Sequence, residues 1–79
     1  MSNEQNFETS DLGLATALVT FGYPLEALDR NDAHRVVFSF TRTDGLDEVV
    51  QEFWQRNLKI EPLAYFNNIK LMKNRIYSR

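Results

Sequence analysis

From Leu12 to Phe21 the chain carries no charge. At about 100° per residue, Leu14, Ala17, Leu18 and Phe21 fall on one stripe, with Leu12, Ala15 and Val19 beside it. Gly13, Thr16 and Thr20 share the remaining face, so no side of this segment asks for bulk water. A helix of that kind is covered on most of its surface. Thr9 or Ser10 is the expected N-cap, because a hydroxyl there accepts from N–H groups left open in the first turn. Asp11 adds a negative charge where the helix dipole favours one, and Gly22 and Pro24 end the helix. The segment is too short to span a bilayer, which takes roughly 20 apolar residues. The residues before it hold acids and no base, unlike the positive start of a signal peptide. The expectation is an interior helix.

The pattern then changes period. Residues 23–30 and 34–42 read as two antiparallel strands joined by the polar link Asn31-Asp32-Ala33. In the second, Val36, Phe38 and Phe40 share one face, and Val37, Ser39 and Thr41 the other. A sheet face of Val and two Phe needs a cover, which the first helix offers. Thr43 or Asp44 is the expected cap of a second helix running from residue 46 to about 57. Leu46, Val49, Val50 and Phe53 form its inner face, Trp54 sits at the edge, and Asp47, Glu48, Gln51, Glu52 and Gln55 point away. Glu52 and Arg56 make an i,i+4 pair. Residues 58–60 are a short extended link and a candidate edge strand. Pro62 suits the first position of a third helix, from 62 to about 77. Its inner stripe is Tyr65, Ile69, Met72 and Ile76, widened by Phe66. With residues 6–8 as a candidate strand in front, the order is (β)-α-β-β-α-α: a small α+β domain, an antiparallel hairpin or three-stranded sheet packed by three helices. Residues 1–5 read as a disordered terminus and 6–79 as the domain.

Composition agrees with that picture and limits the chemistry. The chain has 79 residues, near the size where a single core only just suffices. Hydrophobic residues make up 43% and charged ones 25%, which places it among globular rather than disordered sequences. There is no cysteine, hence no disulfide framework and no thiolate chemistry, and a reducing cytoplasm is the expected location.

Several stretches together have a familiar form: Phe7-Glu-Thr-Ser-Asp-Leu-Gly-Leu-Ala15, Gly22-Tyr-Pro-Leu25, Val37-Phe-Ser-Phe40, Phe53-Trp54 and Lys73-Asn-Arg-Ile-Tyr77. This pattern resembles a small domain-of-unknown-function family of bacteria and their phages, over residues 7–77. Its motifs are mostly core and cap positions, so the resemblance implies a shared fold and a phage or mobile-element origin. It brings no activity, ligand or catalytic residue with it.

Read for chemistry, the residues offer little. His34, the single histidine, stands beside Asp29 and Asp32 across the expected turn. A metal site needs three or four ligands in defined geometry, and a solvated turn explains these residues better. Asp44 and Asp47 read as cap and first-turn acids, and Glu48 and Glu52 as the wet face of a helix. Gly13, Gly22 and Gly45 are too far apart for a phosphate-cradling loop, and no serine has a base partner in view. The expectation is a non-enzyme with no cofactor, metal or small-molecule substrate.

Charge is the more informative feature. Residues 1–33 carry net −5, residues 34–56 net −1 and residues 57–79 net +4. Lys70, Lys73 and Tyr77 lie on one flank of the third helix, Arg75 and Arg79 on the other. They invite a nucleic-acid reading, with cations on phosphates and an aromatic stacked on a base. The competing reading has long side chains covering the rim of a buried stripe, with their charges reaching water. Leu71 falls outside the stripe, and with Trp54 and Val37 it forms a candidate apolar contact patch. The leading expectation is a non-catalytic module that binds a protein partner or itself, with nucleic-acid binding through Lys70, Lys73, Arg75, Tyr77 and Arg79 as the alternative.

Overall fold

The computed structural model describes residues 6–32 and 35–77. In chain order the elements are β1 (Asn6–Thr9), α1 (Leu12–Thr20), β2 (Leu25–Asp32), β3 (Arg35–Thr41), α2 (Leu46–Gln55) and α3 (Pro62–Tyr77). This is the α+β arrangement read from the pattern, and the front strand is real. Residues 58–60, the other candidate edge, form no strand. Residues 1–5, 33–34 and 78–79 lie outside the described residues.

The sheet has the order β1-β3-β2, antiparallel throughout. β3 is central, pairing with β1 along one edge and with β2 along the other. Phe7 stands opposite Phe40, and Leu25 and Leu28 oppose Phe40 and Phe38. Directly opposed residues point to the same face, so these side chains meet over the core. Leu25 and Leu28 are three apart, which in a regular strand would send them to opposite faces. A register shift between Leu25 and Ala27 adds one residue to β2 and brings both inward.

α1 is covered as its sequence demands. Leu14, Ala15, Thr16, Ala17 and Leu18 are all fully buried, and none of its residues is exposed. It packs against β1, α2 and α3. Leu14 and Leu18 join Phe38, Phe40, Leu46 and Met72 in one core cluster. Each such large side chain contributes about 1.5–3 kcal/mol on burial. Thr16 gives its hydroxyl to the Leu12 carbonyl at 2.8 Å, so its burial leaves no open donor.

The caps differ from expectation in instructive ways. Asp11, not Thr9 or Ser10, caps α1: its Oδ1 accepts from Leu14 N at 2.9 Å. Thr9 instead accepts from Asp11 N, and Ser10 Oγ accepts from Arg35 Nε. The chain turns out of β1 at Ser10 and Asp11, which moves the cap one or two positions along. At the other end Gly22 takes φ +103°, and Tyr23 N and Gly22 N reach back to the Leu18 and Val19 carbonyls. Phe21 leaves the helix there and is 42% exposed, so it does not extend the buried stripe.

Neither Thr43 nor Asp44 caps α2 with its side chain. Gly45 takes that place at φ +88° with no side-chain bond. Tyr23 donates its hydroxyl to the Asp44 carbonyl at 3.0 Å and ties this turn to the loop after α1. α2 ends at Gln55, because Arg56 swings to φ +65°. Arg56 is therefore off the helical surface, and the i,i+4 geometry with Glu52 does not form. The first-turn acid Asp47 pairs with Arg42 at 3.1 Å.

Candidate functional site

α3 is the longest helix and carries four of the six large exposed apolar side chains among the described residues. Pro62 opens it, and Glu61 caps it with both carboxylate oxygens, accepting from Leu63 N at 3.1 Å and Ala64 N at 2.6 Å. Its far end is held by β2: Arg30 Nη1 donates to the Arg75 carbonyl at 3.2 Å and the Ile76 carbonyl at 2.7 Å. A cation there also suits the negative end of the helix dipole.

One face of α3 is fixed on α1. Met72 is buried, and Tyr65, Ile69 and Ile76 are half-buried, close to the expected stripe. Asn68 donates to Thr20 Oγ1 at 3.0 Å, and Tyr65 donates to the Gly13 carbonyl at 3.2 Å. Burial raises the Tyr65 phenol above its ordinary value, and the Asp11 carboxylate adds to the shift. Gly13 lets this junction close: a Cβ there would stand 3.3 Å from the Tyr65 hydroxyl and 3.5 Å from the Phe53 ring.

The flank beside it is open. Leu63 is 64% exposed, Phe66 55% and Tyr77 79%, with exposed Lys70 and Lys73 between them. Residues 63, 66, 70, 73 and 77 alternate by three and four, so they lie within about 80° of arc and about 21 Å of length. Phe66 thus departs from expectation: it belongs to this strip and not to the buried stripe. Lys70 Nζ sits 4.7 Å from the centre of the Phe66 ring, a cation–π contact within the strip itself. α3 contains no Asp or Glu.

The other candidate residues are scattered. Leu71 is 58% exposed on α3, about 80° round the helix from Leu63 and farther from the rest of the strip. Trp54 is also 58% exposed, but on α2, edge-on to Phe53 with ring centres 5.0 Å apart. Val37 is half-buried on the sheet face turned away from the core cluster. Those three side chains therefore stand on three different elements, and Val37 is on the far side of the sheet from the helices. Arg75 is exposed on another flank of α3 from Lys70. Arg79 and His34 lie outside the described residues. Leu63 lies outside the stripe expected from the sequence, yet the three-and-four spacing from 63 to 77 marks it.

Among the described residues no group of three or more His, Cys, Asp or Glu is placed to hold a metal ion. No helix among them is long and apolar enough to cross a membrane. No curated protein and no solved structure matches the chain. A family model does, over residues 4–78, nearly the whole sequence and every element described above. The chain belongs to the family described as Domain of unknown function (DUF5659).

Proposed function

We propose that this domain is a non-catalytic protein-binding module that works through the open face of α3. One observation carries the reading: Leu63, Phe66 and Tyr77 stand well exposed on a single face of a helix whose other face is anchored. Scattered apolar side chains on a surface need no explanation. Three aligned on a rigid element form a contact surface, and aromatic anchors are where binding energy concentrates. The domain works in the cytoplasm, and its phage or mobile-element origin belongs to the same reading; gene neighbourhoods test that origin.

The test compares the protein with a Phe66→Ser/Tyr77→Ser variant. Light scattering across a concentration series reports self-association, and immobilised protein reports retention of partners from lysate. Association or retention that the variant loses supports the proposal. A strict monomer that retains nothing, or retention unchanged in the variant, overturns it.

A second reading, nucleic-acid binding, is favoured by Lys70, Lys73 and Tyr77 sharing that face with Phe66 on a helix free of acids. It predicts affinity that falls steeply with salt, about one unit of log-log slope for each phosphate contacted. A low-salt gel shift with single- and double-stranded probes decides it, and an unshifted band removes it.

A further inference from the structure

The α3 strip also indicates what covers it, an inference that rests on the protein-binding reading above. Alternation by three and four is the spacing with which one helix meets another along a seam. Apolar positions in such a seam pack, and charges within and beside it select the partner and the register. Here Leu63, Phe66 and Tyr77 are the packing positions, and Lys70 and Lys73 occupy the middle.

That arrangement argues against a second copy of α3 as the occupant. Parallel pairing in register sets Lys70 against Lys70 and Lys73 against Lys73. Antiparallel pairing about the strip's centre again sets Lys70 against Lys70. Like charges so placed repel, and α3 contributes no acid of its own to relieve them. In the free protein Lys70 leans on the Phe66 ring, a contact that leaves its charge without a carboxylate in the strip.

We infer that α3 receives one amphipathic helix of a different, acidic protein. Apolar side chains of that helix cover Leu63, Phe66 and Tyr77, and its carboxylates face Lys70 and Lys73. Charge complementarity selects acid over base at those two positions. The aliphatic Leu63 selects a protein helix over a nucleic-acid strand, because neither a phosphate nor a sugar gains from covering it.

The probe is a synthetic helical peptide of six turns with a leucine seam interrupted by two glutamates facing Lys70 and Lys73. Its counterpart has two lysines instead. Binding is read by fluorescence anisotropy, and the site by amide resonances of uniformly labelled protein. The acidic peptide is expected to bind at least about tenfold more tightly than its basic counterpart, shifting resonances of α3. The Lys70→Glu/Lys73→Glu variant, whose changes are both on exposed positions, should reverse that order. Its resonance dispersion shows whether the fold is kept, and single Lys70→Gln and Lys73→Gln variants give the same test in graded form. Equal binding of both peptides, shifts outside α3, or no binding by either overturns the inference. So does tighter binding of an oligothymidine strand. The wider reading is judged separately: retention lost in Phe66→Ser/Tyr77→Ser while the peptides fail would sink only the acidic helix.

Discussion

Replacing Gly45 by alanine tests how the turn before α2 is held. Gly45 sits at φ +88°, where an L side chain costs about 1–2 kcal/mol. The new Cβ would also stand 2.8 Å from the Tyr23 hydroxyl, closer than such atoms approach. That hydroxyl must move, and its 3.0 Å bond to the Asp44 carbonyl goes with it, at about 1 kcal/mol. The expected loss for Gly45→Ala is therefore about 2–3 kcal/mol. For a domain of this size that lowers Tm on the order of 10–20 °C. Thermal and urea unfolding followed by circular dichroism measure both. The sharper assay is a double-mutant cycle with Tyr23→Phe, which removes the hydroxyl and so both the clash and the bond. In that background Gly45→Ala should cost only the backbone strain, about 1 kcal/mol less than in the parent chain. A loss of the same size in both backgrounds would refute the coupling through Tyr23, and a loss well under 1 kcal/mol would refute the strain as well.

Further expectations concern the core, the cap, the phenol and the strip. Leu18→Ala, at a fully buried position of α1, should cost about 3–5 kcal/mol in urea unfolding, through lost burial and a cavity. Glu61→Ala removes both capping bonds of α3 and should cost about 1 kcal/mol, with Glu61→Asp recovering part of it. The phenol of Tyr65 has its pKa raised by burial and by Asp11, so the folded state holds that proton more tightly than the unfolded chain. Its contribution is complete below about pH 10 and is lost as pH rises through the higher folded value; a titration of stability between pH 8 and 12 should fall for the parent and flatten for Tyr65→Phe. Phe66→Ser, by contrast, should leave stability within about 0.5 kcal/mol, since the ring is mostly in water.

Much of the architecture was legible because period and charge carry it directly. The alternation through Val36, Phe38 and Phe40 identified the central strand and its inner face. The uncharged run from Leu12 identified the helix that everything else covers. What misled was local chemistry that depends on distant partners. Thr43 and Asp44 are good caps by type, yet Tyr23 holds that turn from twenty-one residues away and gives the cap position to Gly45. Phe66 looked like core because it is large, apolar and next to the Tyr65 stripe. It is exposed because α1 presents only one narrow face to α3, and that face is filled by Tyr65, Asn68, Ile69 and Met72.

By itself the sequence determined the elements, their order and the identity of the buried helix, since the water-avoiding pattern of each segment is a property of that segment alone. It also placed Lys70, Lys73 and Tyr77 on one side of α3 through helical spacing. Only the tertiary structure decided which side of that helix remains open, because exposure depends on where the neighbouring helix ends. The same packing left Trp54 on α2 and Leu71 on α3 each more than half exposed. A contact patch is a relation between surfaces, and no single stretch of chain encodes it.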